Sequence, residues 1–179
     1  MAKYGVGQGV RREEDPRLLR GNGLFVNDIE LPNQAYAFLL RSPHAHADIL
    51  GIDTTIAEAM PGILAIYTGQ DIAADNLGVP GMPAKWLRPD GQPMKYRPQP
   101  PIALARVRYV GDPVALVVGQ TLNEAMDAAE AVMVEYRPLP SITDTAQTVD
   151  AAAPLVWDDY PDNISGLYEA GDRAATDEA

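Results

Sequence analysis

Residues 106–140 read RVRYVGDPVALVVGQTLNEAMDAAEAVMVEYRPLP, and this stretch decides the fold. Arg106 and Arg108 alternate with Val107 and Tyr109, the pattern of a half-exposed strand. Gly111-Asp112-Pro113 turns the chain, and the continuously apolar VALVVG after it predicts a strand buried on both faces. Thr121 and Glu124 have capping-box spacing and open a helix over 121–133. Its apolar stripe reads Leu122, Ala125, Met126, Ala129 and Val132 or Met133, with Asn123, Asp127 and Glu130 opposite. MVEYRPLP is the next strand, ended by its prolines.

Upstream, the same reading gives strands over 34–41 and 44–52, separated by Ser42-Pro43. Asp53 or Thr54 caps a short helix with Ile56, Ala57 and Met60, which Pro61-Gly62 stops. ILAIYTG is a further strand, and QDIAAD a further helical turn. The expected architecture is an α+β (mixed α/β) domain over 20–149 with two main helices. A flexible N-terminal arm (1–19) precedes it and an acidic arm (150–179) follows.

Residues 77–101 interrupt this pattern with seven of the sixteen prolines. Proline lacks a backbone N–H, so no regular ladder runs through the stretch. A loop of this length in a compact domain is usually functional or ordered by a partner. It carries Met82, Trp86, Met94 and Tyr96, and four bases, Lys85, Arg88, Lys95 and Arg97, against Asp90. The expected role is docking on another protein surface, with Met82, Trp86, Arg88, Met94 and Tyr96 as contacts. Residues 150–179 carry eight acids against Arg173, or −7 of the chain's net −11. With few apolar residues beyond a group that includes Trp157 and Tyr160, this segment needs a surface to lie on; both aromatics join the candidate docking set.

The overall composition is that of a globular domain: 46% apolar and 22% charged residues in 179. Net negative charge argues against nucleic acid as a partner, and no apolar run is long enough to span a bilayer. The absence of cysteine removes disulfide, thiolate and iron–sulfur chemistry from this chain and fits a cytoplasmic protein. The N-terminus does not read as a secretory signal.

Catalytic candidates are few. His44 and His46 are the only histidines, and on an extended strand they share a face with Asp48. Two imidazoles and a carboxylate suit a mononuclear metal site; the plainer expectation is a polar strand face turned to water or a neighbour. GVGQG (5–9) lacks the preceding strand that a phosphate loop requires, so it reads as part of the arm. Lys95 sits among prolines, not at the tip of a carrier hairpin, and no serine lies in a nucleophile motif. These residues give no catalytic, cofactor-binding or metal site. They fit part of a larger enzyme, with a free-standing interaction module as the alternative.

Three blocks carry a resemblance. RREEDPRLLRGNGLFVNDIELPNQAYAFLLRSPHAHADILGIDTTIAEAMPGILAIYTGQDI, VRYVGDPVALVVGQTLNEAMDAAEAVMVEYRPLP and NISGLYEAGD follow one another in this order. Together they resemble the start of the large, molybdenum-binding subunit of the xanthine dehydrogenase/aldehyde oxidase/aerobic carbon monoxide dehydrogenase family. The resemblance runs from about Arg11 to Asp172 and implies an α/β-hammerhead domain with a mixed sheet. It also implies a parent oxidoreductase with molybdenum–pyranopterin in the rest of the large subunit, and [2Fe–2S] clusters and FAD on partner subunits. The family's cofactor glycine motifs and glutamate base match nothing in this chain, so no catalytic residue carries over. The implied role is structural, with 77–101 and 150–179 docking on the molybdenum-binding remainder.

Overall fold

The computed structural model describes residues 7, 9, 12–77, 86–160, 162–168 and 170–178. Gly5, Val6 and Gln8 of the glycine-rich stretch and Met82 and Lys85 of the loop lie outside these residues. The chain forms two compact units, Met1–Gln34 and Ala35–Ala179. The division therefore falls at Gln34/Ala35, and the acidic segment belongs to the second unit.

The first unit contains one helical turn, α1 (Asp15–Leu18), and a 3-10 turn at Val26–Asp28. Pro16 near the start of α1 supplies a preset φ where no N–H is needed. The second unit runs β1 (Tyr36–Arg41), β2 (Ala47–Asp53), α2 (Thr55–Glu58), β3 (Ile63–Thr68) and α3 (Gly69–Ala74). It continues through β4 (Arg106–Val107), β5 (Pro113–Gly119), α4 (Leu122–Ala131) and β6 (Met133–Pro138), with α5 (Arg173–Asp177) near the end.

The strands form two three-stranded sheets, ordered β1-β5-β3 and β4-β2-β6. Odd-numbered strands make the first and even-numbered strands the second, so every connection crosses between sheets. All pairings are antiparallel, where a mixed sheet was expected. β5 is central, and Val114, Ala115 and Val117 are fully buried, as the continuous apolar run requires.

The capping box is present. Glu124 N donates to Thr121 Oγ1 at 3.2 Å, and Thr121 N donates to Glu124 Oε2 at 3.0 Å. α4 lies against β1, β5, β3 and α2, but its buried stripe is Ala125, Ala128 and Ala129. Leu122 and Met126, expected inside, are 45% and 40% exposed. The helix approaches too closely for large side chains at its centre: a Cβ on Gly119 would stand 3.0 Å from Ala125 N. Small residues allow that approach, and Phe38, Leu40, Ile52, Met60, Ile63 and Ile66 fill the flanks. A smaller core of Ala47, Ala103, Val107 and Val114 joins the two sheets. The helix expected after Asp53 is the single turn α2, which Pro61 and Gly62 keep short.

Two predicted strands are shorter than their patterns suggested. β2 begins at Ala47, not His44, because Ser42 Oγ accepts the His44 amide at 3.0 Å and turns the backbone. β4 ends at Val107 because the Asp112 carboxylate takes the Arg108 amide at 3.0 Å. Burial raises the Asp112 pKa, with the Arg108 amide acting in the opposite direction.

Candidate functional site: the loop and the acidic segment

Residues 86–94 form a short hairpin: Met94 N donates to Trp86 O at 2.9 Å and Arg88 N to Gln92 O at 2.8 Å. Residues 162–168 then lie along it. Leu167 N donates to Leu87 O at 2.6 Å, Lys95 N to Ser165 O at 3.0 Å and Ser165 Oγ to Lys95 O at 2.5 Å. Gly166 suits the crossing, since a Cβ there would stand 3.1 Å from Met94 Cβ and 3.3 Å from Trp86 Cβ. Residues 87 and 95 of the loop are thus tied to this chain's own acidic segment.

Charge follows the same path. The buried Arg88 guanidinium donates to Asp162 Oδ2 at 2.6 Å and to the Ile164 carbonyl. Arg97 pairs with Asp159, and Lys95 Nζ donates to Asp159 O at 2.6 Å. Arg106 holds Asp158 at 2.9 Å, and the Arg108 guanidinium stacks on the Trp157 ring at 3.5 Å. Asn163 fixes the intervening bend at φ 55°. Its side chain accepts from Val156 N and donates to the Thr148 and Pro154 carbonyls, each at 3.0 Å. Basic residues of this chain therefore line the path of its acidic segment.

These pairs set a pH dependence. The Arg88 hydrogen bond chiefly lowers the Asp162 pKa, and the Arg97 hydrogen bond chiefly lowers that of Asp159. A depressed folded-state pKa contributes stability that is complete above the unfolded carboxylate value, about 3.9, and is lost as pH falls through the folded value. The segment is expected to stay docked at neutral pH and to loosen below about pH 4. Acid-stable protease cleavage within 150–168, followed across that range, checks this; unchanged cleavage down to full protonation contradicts it.

The His44, His46 and Asp48 group resolves differently. Asp48 is buried, accepting from Arg106 Nε at 2.6 Å and Arg137 Nη2 at 2.6 Å. Arg137 and then Arg106 lower its pKa. His46 is buried with Nδ1 2.9 Å from the Pro140 carbonyl, which can only accept, so Nδ1 carries the proton. His44 meets the Tyr136 ring edge-on, with centroids 4.9 Å apart. The three side chains thus face different partners. They form no ligand set, and the metalloenzyme reading is set aside. Among the described residues no group of three or more His, Asp or Glu side chains is placed to hold a metal ion.

Of the candidate docking residues, Arg88 and Tyr160 are buried within the chain, because loop and segment close over them. Arg88 holds Asp162, and Tyr160 lies beneath the Lys95 ammonium, 5.1 Å from its ring centroid. Met94 and Trp157 are half-buried at the same seam, while Trp86 and Tyr96 remain exposed. Sequence reasoning missed Asp159, Asp162 and Asn163 as the segment's anchors. The available signal was the match between four loop bases and a tail rich in acids. Between the loop and the sheets lies a cleft of about 460 Å³, lined by Arg97, Arg106, Arg108, Leu104 and Trp157 among others. Its guanidiniums are engaged by Asp159, Asp158 and Trp157.

A family model described as the aldehyde oxidase and xanthine dehydrogenase a/b hammerhead domain matches residues 20–140. The chain belongs to this family. The chain is 36% identical over 174 residues to the nicotine 6-hydroxylase large subunit of Paenarthrobacter nicotinovorans, covering 97% of this chain and 20% of that protein. It is 35% identical to the carbon monoxide dehydrogenase large chain of Afipia carboxidovorans, covering 97% and 22%. The hammerhead fold matches the crystal structure of a Cu,Mo-CO dehydrogenase with TM-score 0.71 and 33% identity, over 97% of this chain and 22% of that one. The chain spans about a fifth of the length of the curated relatives it matches. No helix among the described residues is long and apolar enough to cross a membrane.

Proposed function

We propose that this hammerhead domain is the N-terminal, structural part of a molybdenum hydroxylase large subunit. The observation that carries the reading is a match over nearly the whole chain to about a fifth of large chains that include a carbon monoxide dehydrogenase and a nicotine 6-hydroxylase. The domain supplies a rigid body to a cytoplasmic oxidoreductase. The rest of the large subunit holds molybdenum–pyranopterin, and [2Fe–2S] and FAD polypeptides complete the assembly. Support for a structural role comes from the described polar side chains with most to offer a cofactor. Asp48, Arg88, Arg106 and Asp162 are all engaged with one another or with backbone inside the chain.

The purified chain is expected to show no hydroxylation of carbon monoxide, aldehydes or N-heterocycles, and molybdenum far below one equivalent by elemental analysis. Activity should require the remainder of the large subunit. Turnover by the pure chain, or stoichiometric metal held by it, overturns the reading.

A further inference from the structure

The first unit combines local order with apolar exposure. Phe25 N donates to Asp28 Oδ2 at 2.9 Å and Leu31 N to Gln34 Oε1 at 3.0 Å, both between side chain and backbone three residues apart. Asn33 adopts φ 61° and Gly21 φ 74°, and the end of α1 closes through Gly21 N to Leu18 O at 3.1 Å. Gly23 lets Leu18 pack in, since a Cβ there would stand 2.8 Å from Leu18 Cδ2. Turn chemistry therefore holds this backbone in shape without a buried core. Yet Leu19, Leu24, Phe25, Val26, Ile29 and Leu31 are exposed, Val26 and Leu19 by 84% and 86%. Six large apolar side chains within thirteen residues exceed the scattered exposure usual on a surface. A segment already ordered loses little further entropy when it docks.

We propose that residues 19–31 are a docking strap whose occupant is an apolar groove on the remainder of the large subunit. This rests on the proposed function above. The relatives are about five times as long as this chain, so most of the protein available to cover the strap lies in that remainder. Charge agrees: between Leu19 and Leu31 only Arg20, Asp28 and Glu30 are ionised, leaving the face nearly neutral. The loop and the acidic segment, by contrast, spend their polar groups on each other.

The test co-expresses the tagged 179-residue chain with the rest of the large subunit from the same source, as a separate polypeptide. Leu24→Ser/Phe25→Ser/Val26→Ser is compared with the unsubstituted chain. Loss of buried anchors at an interface commonly weakens binding by tenfold or more, and a loss of roughly that size is expected here. The thermal unfolding of the substituted chain alone should stay unchanged, because the three side chains are exposed. Equal association of both chains overturns the strap while leaving the proposed function standing. Failure of the unsubstituted chain to associate overturns both. An unsubstituted chain that dimerises alone, with the triple variant monomeric by light scattering, assigns the strap to a second copy and overturns the stated occupant.

Discussion

Gly69→Ala is expected to destabilise the hammerhead unit by about 3 kcal/mol, near the upper end of the usual cost of overpacking. Gly69 is the buried first residue of α3, where the backbone of residues 103–104 passes directly over it. A Cβ would stand 2.3 Å from Ala103 O, 2.7 Å from Leu104 Cα and 2.8 Å from Ala103 C. Those are backbone atoms, so no side chain can rotate away. Relief requires moving either the helix or the 103–104 crossing, and that crossing contributes Ala103 to the second core. Gly51→Ala is the control, since it lies in β2 with nothing within 4 Å of its Cβ, and a change within about 0.5 kcal/mol is expected. Urea unfolding of both variants checks the pair. Equal midpoints would show that the 103–104 backbone yields easily.

Arg88→Met is expected to release the acidic segment while leaving the sheets intact. Methionine keeps much of the apolar stem but removes every donor to Asp162 and to the Ile164 carbonyl. A half-buried carbonyl left without its donor carries a cost, and here the backbone can respond by moving away. The readout is amide exchange at Leu167, bonded to Leu87 O, and at Lys95, bonded to Ser165 O. Both should exchange about ten- to a hundredfold faster, while the Val117 amide in central β5 keeps its protection. Arg88→Lys should recover only part of the effect, because one ammonium cannot reproduce the forked contact. Unchanged protection at Leu167 and Lys95 would show that the backbone bonds alone hold the segment.

The sequence made the elements built from local signals legible. Thr121 and Glu124 announced α4 because a capping box is complete within four residues, and the VALVVG run announced a central strand because burial on both faces leaves no polar alternation. The errors arose where a residue outside the strand or helix decides. His44 looked strand-like until Ser42 turned the chain, and Arg108 until Asp112 claimed its amide. α4's stripe slipped because helix–sheet spacing depends on Gly119, outside the helix. The alternation of strands between two sheets left no trace in any local window. The candidate site was half legible: charge totals showed that the acidic segment needed a basic surface, but not that residues 88–108 supply it.

The loop's ionic partners lie far downstream: Arg97 reaches Asp159 across 62 residues and Arg88 reaches Asp162 across 74. At roughly 5–20 residues per second, a ribosome needs about 3–15 seconds to deliver them once the loop has been made. During that wait the stretch waits as a nascent peptide with its aromatics uncovered. Its prolines then have a protective meaning, since a peptide short of amide hydrogens is a poor template for misplaced strands and aggregation.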